Sequence, residues 1–405
     1  KIPIGKADDP KHQRQLPLYL DFLTKGNLAI CGSGVSGKST MIQTILYALI
    51  SDYTPEEIHL YGIDVNSRMM NVFGEAPQVG GILSEEDRKK MSRLFSMLKR
   101  KLEERKKQMG GGNYEQYVSV HKIAMPAIIL LIDEYAAWKE KMGGIYEETL
   151  LRLAKEGMHY GIYLVVSGYG FHMNDLPLRL EETTGQVLCL NLPDKYAYGN
   201  LLHQPFDLMP ERGIKGRGLA LVGQQVLEFQ TALCVDAKHD YERLEKIQAY
   251  CHHMAVCWKG KKAPQIPEIP QNPTWEQLEQ AEEWKQLEKN QRFLPVGYDT
   301  FDASIYSVDL LHTYCYMIWG TRGSGKTNYM RACLRAAQKK NGHICIIDGP
   351  KKEWKEYKGH TKLTYLTEEE EIFDYFKELI PEIVKRNQKK QQLIQEGYGR
   401  EEIFN

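Results

Sequence analysis

Short, mostly apolar runs alternate along the first two-thirds of the chain with longer stretches whose apolar positions recur every three or four residues. The runs at 28–31, 58–63, 128–132 and 162–166 have the length and continuity of strands covered on both faces. Between them, the spacing predicts helices over 38–50, 85–108 and 147–156. LALV and QVLEFQ, either side of Gly223, predict a hairpin at a sheet edge. Strands alternating with helices define an α/β fold, a mostly parallel sheet with helices on both faces.

The chain repeats itself at long range. PIGKADDP at Pro3 matches PVGYDTFD at Pro295, and NLAICGSGVSGKSTMIQTIL matches CYMIWGTRGSGKTNYMRACL. IHLYGID, ending at Asp64, matches HICIIDG with Asp348, and ILSEEDRKKMSRLFSMLKRKLEERKKQ matches YLTEEEEIFDYFKELIPEIVKRNQKKQ. A repeat this long implies tandem domains, not a solenoid. Between the copies lie Pro264, Pro267, Pro270 and Pro273, which favour an extended, semi-rigid spacer, and then a charged helix with Trp275, Leu278, Trp284 and Leu287 near helical spacing. Residues 1–258 therefore make a complete first domain, 259–292 a linker, and 293–405 the N-terminal part of a second domain.

The chemistry lies in the loops that follow the strands. Gly32, Ser33, Gly34, Val35, Ser36, Gly37, Lys38 and Ser39 satisfy the pattern GxxxxGK[ST] between a strand and a helix, with Thr40 next. Glycines let backbone N–H groups curl round a phosphate, the helix N-terminus adds partial positive charge, Lys38 reaches the terminal phosphates and Ser39 can hold Mg2+. The second domain repeats the motif as Gly320, Thr321, Arg322, Gly323, Ser324, Gly325, Lys326 and Thr327, followed by Asn328, with Thr327 as metal ligand. ATP and Mg2+ are the expected cofactors. In IILLIDEY a buried strand carries Asp133 to its C-terminal end, where parallel sheets bind ligands and an acid can hold Mg2+ beside Ser39. Glu134 follows and suits polarisation of an attacking water.

Composition narrows the partners. Fifty-three basic and fifty-three acidic residues cancel, so the overall balance offers no field for nucleic acid or an anionic membrane. Without a long apolar run, the stretch is expected to be soluble. Eight scattered cysteines read as free thiols of a reducing compartment. Cys251, His252, His253 and Cys257 lack the paired spacing of a zinc site and read as a helix end with two half-buried thiols. Lys99, Arg100, Lys101, Arg105, Lys106 and Lys107 could track a phosphate backbone, but the interleaved Met91, Leu94, Phe95, Leu98 and Leu102 favour an amphipathic helix with these charges on its solvated face. GGGNYEQY after it reads as a flexible loop. Arg152, Arg179 and Arg217 could reach a neighbouring subunit, but surface ion pairing is the simpler role for each.

The duplicated modules, the Asp133–Glu134 pair, the GIYLVVS strand and the GRG hairpin opening at 216–218 resemble the FtsK/SpoIIIE-type motor ATPases. PQIPEIP, LEFQTAL and the PIG/PVG openings are similar more narrowly to the multi-ATPase membrane components of the Firmicutes type VII secretion system, of which this stretch corresponds to the second ATPase domain and part of the third. The resemblance implies RecA-like folds, a membrane segment and a further ATPase upstream of this chain, and a place at the cytoplasmic face of the membrane. It also implies small helical secreted proteins as cargo, other secretion subunits as partners, and self-association through neighbouring ATPase domains; no nucleic acid is expected. The chain departs from active members in two places. Ser167, Gly168 and Tyr169 stand where a polar phosphate sensor is expected, and the next strand, QVLCLNL, lacks the arginine that acts on a neighbour's nucleotide. Binding of ATP with slow turnover in isolation follows from these departures. The alternatives to a motor are a non-hydrolysing docking module and, more remotely, a DNA translocase.

Overall fold

The apolar runs become strands in the middle of a sheet, the one place where both of their faces can leave water. The structure is a computed structural model that describes residues 1–121, 125–313, 315–340, 342–360, 362–399 and 402–403. It comprises two units, Lys1–Pro267 and Glu268–Asn405.

The first unit contains β1 (Ile2–Asp9), β2 (Arg14–Leu20), β3 (Leu28–Cys31), β4 (Ile58–Asp64), β5 (Val79–Leu83), β6 (Ala127–Asp133), β7 (Ile162–Gly168), β8 (Gln186–Cys189), β9 (Arg217–Val222) and β10 (Gln225–Thr231). They form one ten-stranded sheet in the order β2-β1-β10-β9-β8-β3-β7-β6-β4-β5. From β8 to β5 every pairing is parallel, and the remaining strands extend that core antiparallel. The helices are α1 (Phe22–Lys25), α2 (Lys38–Asp52), α3 (Arg88–Met109), α4 (Tyr114–His121), α5 (Tyr135–Met142), α6 (Glu147–Glu156), α7 (Leu178–Glu181), α8 (Lys195–Leu202) and α9 (Asp240–Cys257).

Strand pleating sends alternate residues into two cores. In β6, Ile128, Leu130 and Ile132 face the core closed by α3, α5 and α6 through Leu94, Leu98, Trp138 and Leu153. Ile129 and Leu131 face the opposite core, closed by α2 and α9 through Ile42, Ile45, Leu49 and Ile247. Each such buried side chain contributes roughly 1.5–3 kcal/mol. The predicted mostly parallel sheet, covered on both faces, is the architecture observed.

Several boundaries moved for local reasons. α3 starts at Arg88, because Asp87 accepts from the Ser84 N–H (3.0 Å) and hydroxyl (2.9 Å) and holds 84–87 in a turn. GGGNYEQY is a loop only as far as Asn113, whose side chain accepts from Gln116 N at 2.8 Å and starts α4. The buried Tyr114 hydroxyl donates to Met125 O at 2.8 Å. Arg105, placed with the solvated charges by its neighbours in sequence, is 5% exposed. It donates to the carbonyls of Tyr160 (2.7 Å), Gly161 (3.0 Å) and Pro126 (2.5 Å), tying α3 to the start of the central strands. Cys251 is fully buried and Cys257 exposed, so the pair is not two half-buried thiols.

The proline-rich stretch begins as part of the first unit. Ala263 N donates to Pro77 O (2.8 Å), Ile266 N to Gly80 O (3.1 Å), and the Tyr61 hydroxyl to Pro264 O (2.7 Å). A Cβ on Gly80 would sit 2.4 Å from Pro264 O, so only glycine lets the strap lie this close to β5. Prolines cannot donate onward, and the sheet edge is closed by a segment that cannot propagate it.

The second unit comprises α10 (Trp275–Gln280), α11 (Glu282–Lys289), β11 (Phe293–Tyr298), β12 (Ile305–Asp309), α12 (Lys326–Gln338), β13 (Ile344–Ile347), β14 (Leu363–Leu366) and α13 (Glu369–Gln395). The helix expected after the prolines is broken at Ala281, which allows Leu278 and Trp284 to bury together against Ile305. The internal repeat is structural: β1 and β11 open antiparallel hairpins with register shifts at Pro3/Gly5 and Pro295/Gly297, and β13 pairs with β14 in parallel as β4 does with β5.

Candidate functional site

The site begins where β3 ends and α2 starts. Gly32 N donates to Gly168 O (3.0 Å), Ser33 N to Asn191 O (2.9 Å), and Gly216 N to Ser36 O (2.9 Å), so the turn is anchored by the ends of β7 and β8 and by the turn into β9. Gly37 has φ 103°, and a Cβ there would lie 2.9 Å from Gly216 N. A Cβ on Gly32 would lie 2.7 Å from Ser36 Oγ. Ser36 Oγ is buried with no hydrogen-bond partner, an orphaned polar atom inside the loop. Lys38 Nζ folds back onto the carbonyls of Gly32 (2.9 Å) and Ser33 (3.0 Å). Gly34 and the exposed Val35 lie on the outer turn, and Thr40 continues into α2.

One residue into α2, Ser39 Oγ donates to Asp133 Oδ2 at 2.7 Å. The other carboxylate oxygen of Asp133 accepts from Ser167 Oγ at 2.5 Å, and Ser167 Oγ in turn accepts from Glu134 N at 2.8 Å. Asp133 is 2% exposed. Burial pushes its carboxyl above the ordinary range; the Ser167 and Ser39 hydroxyls oppose this, and the carboxylates of Asp64 and Glu134 add to it. Glu134 caps α5 in the left-handed region (φ 51°), an uncommon conformation for a residue with a side chain. Glu134 lines a cavity together with Gly34, Lys38, Gly168, Tyr169 and Asp175.

The loop after β4 was not read as part of the site. Ladder register sets Asp64 beside Asp133. Asp64 accepts from Ser67 N (2.9 Å) and Met70 N (3.1 Å), bending the chain so that Ser67 Oγ reaches Asp133 Oδ2 at 3.4 Å and Asn66 Nδ2 reaches Glu134 Oε2 at 2.5 Å. Only the position of Asp64 at a strand end, echoed by Asp348, signalled this in the sequence.

The second loop has the same local form. Lys326 Nζ donates to Gly320 O and Thr321 O, each at 2.8 Å, and Gly323 and Gly325 have φ of 80° and 90°. Arg322, Ser324 and Asn328 are exposed. Its surroundings differ. Among the described residues, no carboxylate bonds Thr327 and no strand flanks 316–319, where Met317 and Trp319 are exposed, whereas β3 lies between β7 and β8. The candidate inter-subunit arginines are partly committed within the first unit: Arg152 pairs with Glu103 and Glu156, and Arg217 with Glu211 and Glu228, while Arg179 is exposed.

A glycine loop between a strand and a helix, with an acid ending a nearby parallel strand, is the arrangement of a P-loop nucleotide-binding fold, and residues 3–127 match the FtsK/SpoIIIE family. The chain is similar in sequence to proteins named EssC and EccC, of type VII and ESX secretion systems. It is 23% identical over 404 residues to the ESX secretion system protein EccC of Geobacillus thermodenitrificans, covering 98% of this chain and 26% of that protein. The fold is similar to that of EssC (ATPases 2 and 3) from Geobacillus thermodenitrificans, with TM-score 0.70 and 22% identity over 96% of this chain and 74% of that one. It is also similar to Thermomonospora curvata EccC (ATPases 2 and 3) in complex with a signal sequence peptide, with TM-score 0.68 and 20% identity over 95% and 70% of the two chains. The chain spans about a quarter of the length of the curated relatives it matches.

The buried Asp133 carboxyl generates a stability prediction. With its folded pKa raised above the unfolded value of about 3.9, its contribution to stability is fully present below that value and is lost as pH rises through the folded pKa. The ionised form is thus a cost at neutral pH. Asp133→Asn keeps the shape without that charge and raises the melting temperature of the ligand-free protein at pH 7 by about 2–4 °C, the shift that about 1 kcal/mol produces in a domain of this size. Calorimetric scanning checks it; an unchanged or lower melting temperature means that the serines fully compensate the charge.

Proposed function

We propose that the first unit binds Mg2+–ATP through residues 32–40, and that the chain supplies ATPase domains to a membrane-anchored type VII secretion ATPase that recognises and exports small helical proteins from the cytoplasmic face. The observation that carries this reading is the Ser39 hydroxyl 2.7 Å from Asp133, one residue beyond a lysine folded onto its own glycine loop. A hydroxyl and a buried acid brought together beside a phosphate cradle fit a divalent cation held on one side by protein and on the other by phosphates. Lys38 would exchange its two carbonyls for the terminal phosphates, and the loop N–H groups would surround them. Mg2+ held by Ser39 and Asp133 would supply charge neutralisation on the phosphate oxygens. Glu134 would accept the proton of a water that adds to the γ-phosphorus as the bond from that phosphorus to the ADP oxygen breaks. Thr327 and Lys326 give the second unit the same roles.

The export reading rests on the relatives, among them an EccC structure in complex with a signal sequence peptide. No helix among the described residues is long and apolar enough to cross a membrane, so a membrane anchor would belong to other segments of the protein. Secretion subunits and neighbouring ATPase domains are the expected further partners.

A specific observation favours slow turnover or none, the docking reading. The one donor hydrogen of Ser167, which a phosphate sensor would need, is committed to Asp133, and the same hydroxyl accepts from Glu134 N. Further, β8 carries no arginine, and where a neighbour's arginine completes such sites it is worth about 10³–10⁵ in rate.

Lys38→Ala and Lys326→Ala each weaken ATP binding only in their own unit, by about tenfold to a hundredfold for one charge-assisted contact. Isothermal titration of the single variants tests this, and stoichiometry and affinity unchanged in both would remove the two-site reading. Export and DNA translocation separate in a second titration, of a labelled duplex and of a cognate secreted helical protein against the full chain. The secretion reading expects the helical protein to bind and the duplex to associate weakly; tight duplex binding that falls steeply with salt, without cargo binding, would return the chain to DNA pumping.

A further inference from the structure

The carboxylate of Glu134 is tethered as well as its backbone N–H. Asn66 Nδ2 donates to Glu134 Oε2 at 2.5 Å, while Asn66 Oδ1 accepts from Lys141 Nζ at 3.0 Å. Lys141 Nζ also donates to Val65 O (2.9 Å) and pairs with Glu85 (2.6 Å). This order of contacts is chemically determined. An ammonium has only donors, so the amide must present its oxygen to Lys141 and therefore its NH2 to Glu134. Glu85 and the Val65 carbonyl fix the ammonium, the ammonium fixes the amide, and the amide occupies one oxygen of the acid.

We infer that Asn66, oriented by Lys141, is a positioning residue that restrains Glu134 and keeps hydrolysis slow while the contact lasts. The inference rests on the reading of Glu134 as the group that accepts the water's proton. The acid keeps free acceptor sites, so the amide does not remove its basicity; it fixes the carboxylate's direction, and a side chain held at 2.5 Å must break the contact before it turns to a water at the γ-phosphorus. The slow turnover expected from Ser167 and from the arginine-free β8 then has a third cause, one that a substitution can lift. Asn66 is exposed, so its replacement leaves both cores intact.

The test is steady-state phosphate release by the full chain against ATP concentration, in the wild type, Asn66→Ala, Lys141→Met and the double variant, with Glu134→Gln as background and ATP affinity measured for each. Asn66→Ala raises kcat about threefold to tenfold, the factor that removal of a restraint of one hydrogen bond's strength makes, and leaves KM unchanged. Lys141→Met acts in the same direction, the double variant gains nothing beyond Asn66→Ala, and none of them gains in the Glu134→Gln background. A role confined to loop structure would move KM or stability instead of kcat. If ATP binds normally but kcat of Asn66→Ala is unchanged, undetectable or lowered, the restraint is overturned. Absence of ATP binding in the wild type would overturn the nucleotide reading itself.

Discussion

A single buried carboxylate organises the first unit. Asp133 sits at the C-terminal edge of the parallel strands with almost no contact with water, where an unpaired charge would cost several kcal/mol. The cost is reduced by the hydroxyls of Ser39 at the start of α2 and Ser167 near the end of β7. Those two bonds fix where the glycine loop ends relative to the strand that carries the acid. They also leave little latitude for Glu134, whose N–H is held by Ser167 and whose carboxylate is held by Asn66.

Strand order makes this arrangement possible. β3 and β6 are separated by β7, and β3 is bordered on its other side by β8, so the glycine loop rests on the ends of strands contributed much later in the sequence. The second unit shows what that support does. It repeats the bulged hairpin, the lysine folded onto its loop and the β13–β14 pair, yet among the described residues its loop lacks flanking strands and an acid at Thr327. Ile380 of α13 is exposed, whereas its counterpart in α3, Met97, is buried. A P-loop motif thus specifies its own local turn, while the pairing of its hydroxyl with a buried acid depends on the sheet around it.

The same distinction explains what could be read in advance. Both glycine loops were legible because close backbone approach and a helix start restrict residue type at fixed spacing, and Asp133 because an unbroken apolar run points to a buried strand and its end. The central strands and α2 were legible for the same reason. β1 and β2 were not, since Pro3, Gly5, Pro17 and charged residues interrupt their alternation. Nor was the role of Arg105, which differs from neighbouring charges only in the carbonyls that the fold places round it. Asn66, Ser67 and Lys141 carry no motif. They reach the site because the β4–β6 register aligns Asp64 with Asp133, a pairing between segments far apart in sequence. The proline stretch looked like a spacer because its contacts with β5 run through backbone carbonyls and N–H groups that leave no side-chain signature.

The claim on which the account rests is that Asp133 and Ser39 together hold the cation of a bound nucleotide. Electron paramagnetic resonance of Mn2+ substituted for Mg2+ reads this directly, since free and protein-bound Mn2+–ATP give distinct signals. The wild-type protein should capture Mn2+ in the presence of ATP, and Ser39→Ala and Asp133→Ala should each weaken that capture by about tenfold or more, as loss of a ligand contact worth at least 1.4 kcal/mol requires. Equal Mn2+ capture by all three proteins would contradict the account.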